Sequence, residues 1–152
     1  QTERQPKPVL IGFNMEVEKE FFQYFISVED IGPIKAAKAM DCELHVFHAL
    51  DVTARDSVRI LTQDEIEQKI RESLRKIRAR YEPRLKDLKR YSMEVWEGIP
   101  YIEIVKFARD QHADLIVMAH HSKKLGADDT RLGGNVEQVI VRAGCPVLSV
   151  NK

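Results

Sequence analysis

The chain has little of what marks an extracellular or membrane protein. It holds two cysteines in 152 residues, Cys42 and Cys145, far apart and with no CxxC pair. A disulfide scaffold is thereby excluded, and both thiols read as reduced, buried small hydrophobes. No apolar run approaches ~18 residues, which excludes a spanning helix here and predicts no direct membrane insertion. Nothing at the start reads as a secretory signal, so the expected location is cytoplasmic. Charge of one sign is also lacking: Lys plus Arg and Asp plus Glu both number 24. A nucleic-acid surface normally needs a basic excess, so no nucleic-acid partner is expected. Three chemical signatures are missing too: the nucleophile elbow GxSxG, the P-loop GxxxxGK[ST] and the dinucleotide loop GxGxxG.

What is present fits one soluble domain, with 43% hydrophobic and 32% charged residues. The polar opening "QTERQP", residues 1–6, reads as a linker or a remnant, with the domain spanning 7–152. Such a start is compatible with a domain of a larger protein. Five runs have strand chemistry: "VLIGF" (9–13), "LHVFHAL" (44–50), "SMEVW" (92–96), "DLIVM" (114–118) and "PVLSV" (146–150). Several are nearly continuous in apolar residues, as strands covered on both faces are. Helical patterns between them predict repeated strand–helix–strand units and a parallel sheet.

The clearest helix starts near Thr62 and carries Ile66, Ile70, Leu74, Ile77, Tyr81, Leu85 and Leu88 on one stripe, with a kink or break expected at Pro83. A second starts at Pro100, with Tyr101, Ile104, Val105 and Ala108 as its buried edge. The first crossover is aromatic-rich, with Phe21, Phe22, Tyr24 and Phe25 suited to core packing or to a partner chain. The last helix follows "RLGGN". Asn135 reads as its N-cap with Gln138 three residues on, and Gly144 as its C-terminal cap before Pro146. Gly133 and Gly134 thus precede a helix N-terminus, whose free amides and dipole favour an anion.

At this point the residues resemble a known family. "ADLIVMAHHSKK" and "GGNVEQVIVRAGCPVLSV", with "VWEGIPYIEIVKFARDQHADLIVM", are similar to universal stress proteins, and the resemblance covers residues 7–151. It implies an α/β fold, a five-stranded parallel sheet with helices on both faces of Rossmann-like type. It also implies an adenine-nucleotide site at the carboxyl end of the sheet, for ATP or AMP, with Mg2+ as a companion ion. A homodimer pairing the C-terminal strand 146–150 edge to edge is a further implication. Carried over residue by residue, Gly12, Phe13, Asn14 and Ala49 would hold adenine and ribose. Met118, Ala119, His121 and Ser122 would line the near side of the phosphates, with Gly134, Asn135 and Val136 cradling them. The sequence departs from the family's glycine signature at Ala119 and Ser122, and closes it with Gly134-Asn135 in place of Gly and Ser or Thr. It has eleven residues between Ser122 and Gly134 where the signature has nine, and Asn14 stands where the first strand normally ends in an aspartate. Asp128 and Asp129 oppose a polyphosphate in that loop, while Lys123, Lys124 and Arg131 favour one.

The histidines suggest no metal site. His45 and His48 are three apart on a strand and point to opposite faces, and His120-His121 follows the fourth strand as a phosphate-facing or solvated pair. His112 reads as a surface residue at a helix end. The resulting expectation is a stress-response or regulatory domain binding an adenine nucleotide, non-catalytic or a very slow ATPase. The competing expectation is a nucleotide-free dimerisation or interaction module with a degenerated site.

Overall fold

The computed structural model describes residues 8–13, 38, 42–51, 60–120 and 134–151. The aromatic stretch at 21–25 and the start at 1–6 lie outside the described residues. Five strands, β1 (Pro8–Phe13), β2 (Glu43–Leu50), β3 (Tyr91–Glu97), β4 (Leu115–His120) and β5 (Val147–Asn151), form one sheet in the order β3-β2-β1-β4-β5. Every pairing is parallel. Among the described residues three helices lie between them: α1 (Gln63–Leu85), α2 (Pro100–Asp110) and α3 (Gly134–Arg142).

The strand order fixes where the helices go. From β1 through β2 to β3 the chain moves steadily toward one edge. It then crosses back past β2 and β1 to reach β4. Crossovers between parallel strands are right-handed, so reversing the direction of travel moves the connecting helix to the other face. The packing obeys this rule. One core cluster joins Leu44, Val46, Val95 and Val117 of the sheet to Ile77, Tyr81 and Leu85 of α1. The other joins Phe47, Ala49, Ile116 and Met118 to Ile104 and Phe107 of α2 and to Val136 and Val139 of α3. β2 feeds both clusters by strict alternation, which explains six consecutive buried residues from Leu44 to Ala49.

α1 starts with a capping box: the Thr62 hydroxyl accepts from the Glu65 amide at 3.3 Å, and the Thr62 amide donates to the Glu65 carboxylate at 2.8 Å. Of the kink or break expected at Pro83, the break does not occur, since α1 continues to Leu85. Pro83 falls in the last turn, where few hydrogen bonds remain to lose. Tyr81 and Leu85 on either side are buried and hold that turn against the sheet. α2 ends in a complete Schellman motif, with the His112 amide donating to the Arg109 carbonyl and the Ala113 amide to the Ala108 carbonyl. His112 itself takes φ 51°, the left-handed position that glycine usually fills. Gly144 carries no such geometry, so the C-terminal cap read there from sequence is not formed; among the described residues Gly98 is the glycine with positive φ. No disulfide joins Cys42 to Cys145, and both are half-buried against the two clusters.

Candidate functional site

The site is set by the reversal in the winding. β1 lies between β2 and β4, and the chain leaves it toward β2 on one side while β4 belongs to the return path. In open parallel sheets such a switch point leaves a crevice outside the carboxyl ends of the strands, because the adjacent connections depart to opposite faces. The register brings the expected residues to that crevice. Gly12 pairs with Met118 on one side and with Phe47 on the other, and Phe13 pairs with His48. Ala49 stands one residue further along β2, and Ala119 follows Met118. Gly12, Phe13, Ala49, Met118 and Ala119 are therefore neighbours at the carboxyl edge of three adjacent strands.

The side chains divide the work differently from the way a simple lining would. Ala49, Met118 and Val136 are 1%, 4% and 4% exposed and share the hydrophobic cluster beneath α2 and α3. Only their backbone groups can face a ligand. Gly134 is exposed, and a Cβ built on it meets nothing within 4 Å among the described residues. Asn14, His121 and Ser122 lie outside the described residues, as do Asp128 and Asp129.

One local expectation needs correction. Asn135 is not the N-cap of the last helix, because α3 already includes Gly134 and Asn135 sits in its first turn. Val136 and Val139, both buried, set the rotation of the helix against the sheet. The free amides of α3 thus belong to Gly134, Asn135 and Val136 themselves, the three residues expected to cradle phosphate. Glu137 also lies in that first turn, a carboxylate that already complements the helix dipole. His120 is likewise corrected: it is the last residue of β4 rather than part of the segment after it.

His45 and His48 do point to opposite faces, as their spacing requires, and both are buried. His45 is held by contacts to Ser92 Oγ at 2.6 Å and Glu43 Oε1 at 3.3 Å, and its ring meets Phe107 edge-on. Burial pushes its pKa below the ordinary 6.5, against the opposing pull of Glu43 and Glu94. With a neutral ring, Nε2–H donates to Glu43 and the Ser92 hydroxyl donates to Nδ1. No group of three or more His, Cys, Asp or Glu suited to a metal occurs among the described residues. Sequence reading passed over Phe107 and Trp96, which brace β2 directly below the crevice. Phe107 was legible, since it stands three residues after Ile104 on the buried edge of α2.

A parallel open sheet wound in both directions, with a helix N-terminus beyond its carboxyl edge, defines an α/β protein of the class that binds ligands above its strands. The universal stress protein family profile matches residues 7–151. Universal stress protein MJ0531 of Methanocaldococcus jannaschii is 34% identical over 125 residues, spanning 78% of this chain and 71% of that protein. The chain belongs to the universal stress protein family. The solved structure of MJ0577 shares the fold at a TM-score of 0.66 and 24% identity, covering 98% of both chains. A universal stress protein solved in complex with cAMP aligns at a TM-score of 0.62 and 19% identity over 97% of this chain and 98% of that one. Over 55 residues the chain is also 58% identical to the Holliday junction branch migration complex subunit RuvA of Desulforapulum autotrophicum. That match spans 36% of this chain and 23% of the RuvA length. No helix among the described residues is long and apolar enough to cross a membrane.

Proposed function

We propose that this is a regulatory domain of stress-response type that binds an adenine nucleotide, ATP or AMP, at the carboxyl end of its sheet. The carrying observation is the switch point itself: Gly12 of β1 lies in register with Met118 of β4, at the carboxyl edge from which the chain leaves β4 toward α3. Family members solved with cAMP and with dAMP, the latter from Archaeoglobus fulgidus, support this class of ligand. In this reading Gly12, Phe13, Asn14 and Ala49 hold the nucleoside end. Met118, Ala119, His121 and Ser122 flank the phosphates, and the amides of Gly134, Asn135 and Val136 receive them. The open space over Gly134 fits that role, because an approaching phosphate would need the volume a Cβ would fill. In this reading the domain is non-catalytic or a very slow ATPase, and its function is occupancy rather than turnover.

Titration with AMP, ADP and ATP, with and without magnesium, tests the reading. A folded-state ligand at a hundred times its Kd raises stability by about 2.7 kcal/mol, visible as a higher Tm. Gly134→Val sharpens the test, since its side chain meets no described residue and should leave the fold intact while obstructing phosphate. No Tm shift at millimolar nucleotide, or an equal shift in Gly134→Val, would refute the placement.

A second reading, an adhesive module, draws on different residues. β5 is an edge strand, and Leu148 on it is 51% exposed, close in sequence to Val141 at 74% on α3. An edge strand with unpaired backbone and an apolar side chain invites strand pairing with a second copy. A homodimer through 146–150 is compatible with nucleotide binding, and sedimentation with and without Leu148→Lys distinguishes dimer from monomer.

A further inference from the structure

The neutral total hides an uneven distribution of charge. Residues 71–90, the C-terminal part of α1 and the turn after it, hold nine Lys and Arg against three Asp and Glu, a net of +6. The remainder of the chain therefore carries −6. Six of the nine are arginines, and all but Arg84 are exposed. One of the three carboxylates is engaged from outside the segment, with Lys38 Nζ 3.5 Å from Asp87. A second, Glu72, meets Lys76 at 3.5 Å. Arg75, Arg78, Lys86, Lys89 and Arg90 make no side-chain ion pair with a described residue.

The helix geometry turns this run into a surface. Ile77, Tyr81 and Leu85 are buried against the sheet. At ~100° per residue, Arg71, Arg75 and Arg78 fall on one flank of that stripe and Lys76, Arg80 and Arg84 on the other. A helix dipole accounts for basic residues in the final turn, but its influence fades beyond it. This run extends over about four turns. α1 leaves the carboxyl end of β2 and returns to the amino end of β3, so the basic half lies at the end of the sheet opposite the crevice.

We propose that this half of α1 is an electrostatic docking surface for the phosphate backbone of duplex nucleic acid, independent of the nucleotide site. None of the exposed large hydrophobics falls within 71–90. A protein interface lacks its apolar centre there, and a membrane lacks an anchor. The segment's aromatic residue, Tyr81, is buried, so single-stranded bases find no stacking platform. The exposed guanidinium groups of Arg75, Arg78 and Arg90, which pair with no described carboxylate, fit paired phosphate oxygens. The neutral composition that argues against a nucleic-acid partner is thus an average over two oppositely charged regions.

Fluorescence anisotropy of a labelled mixed-sequence DNA duplex with the full chain tests this. Binding is expected at a Kd of roughly 10⁻⁴–10⁻⁶ M, weakening about a hundredfold between ~50 and ~200 mM salt for about four phosphate contacts. Arg75→Ala combined with Arg78→Ala should weaken binding and reduce the salt slope by about two. Lys86→Glu with Lys89→Glu, outside the helix, should weaken it independently. All four side chains are exposed, and unchanged melting confirms that the variants fold. Three results overturn the proposal: no binding at low salt, binding by both double variants as tight as by the unaltered protein, or tighter retention by phosphatidylserine vesicles or polyglutamate than by DNA.

Discussion

Phe47 of β2 and Phe107 of α2 lie face to face, with ring centroids 4.4 Å apart and 15° between their planes. Trp96 of β3 meets both edge-on, at 5.4 Å from Phe47 and 5.2 Å from Phe107. Three rings from three elements thus lock α2 onto the sheet just below the carboxyl edge. Phe107 is fully buried, so Phe107→Ala should lower stability by about 3–5 kcal/mol, read from urea unfolding. Phe107→Leu, which keeps most of the volume, should cost clearly less. A loss below 1 kcal/mol for the alanine variant would show that the stack contributes little.

Gly98 joins β3 to α2 with φ 144°, and its amide donates to the Leu50 carbonyl at 3.0 Å. A Cβ there would stand 2.6 Å from Glu103 Cγ. Gly98→Ala should cost about 1–3 kcal/mol, chiefly as backbone strain. Adding Glu103→Ala relieves the crowding but not the dihedral, so the double variant should still melt below Glu103→Ala alone.

His112 bears the opposite kind of strain, a side chain where the Schellman turn prefers none. The left-handed region costs an L-residue about 1–2 kcal/mol, while glycine adds about 0.5–1 kcal/mol of unfolded-chain entropy. His112→Gly should therefore stabilise by about 0.5–1 kcal/mol, a rise of roughly 2–3 °C in Tm for a chain of this size. An unchanged or lower Tm would mean that the imidazole makes a compensating contact.

His45 supplies the pH dependence. Its folded pKa lies below the unfolded 6.5, so the unfolded chain binds the extra proton first. The neutral ring's contribution is complete above pH ~6.5 and is lost as the pH falls through the folded value. Stability measured from pH 7 to 5 should drop more steeply in the native protein than in His45→Gln, which retains hydrogen-bonding capacity without titrating. Parallel curves would assign the acid sensitivity to other groups.

How much of this was legible depended on what each residue reports. Apolar runs located the five strands to within a residue or two, and the unbroken run of β2 reflects burial on both faces, where a strand cannot alternate. Pro100 and the Thr62 region marked helix starts through local chemistry that does not need a third dimension. The left-handed turn at His112 left no trace, since the sequence places no glycine there. Asn135 misled as a cap because its chemistry suits that position, yet α3 already includes Gly134. The order β3-β2-β1-β4-β5 was not legible, as periodicity carries no information about which strands are neighbours, and the resemblance implied only a five-stranded parallel sheet. For the site, the register of Gly12 with Met118 is a property of the sheet, and Asn14, His121 and Ser122 lie outside the described residues.

The sheet also acts as a bulkhead. No residue of α1 enters the cluster under α2 and α3, and none of theirs enters the cluster under α1. Slow amide exchange should therefore resolve two separately opening units that share only the backbone of the central strands. Cargo held along the charged rod could loosen that helix while the compartment on the other side stays shut.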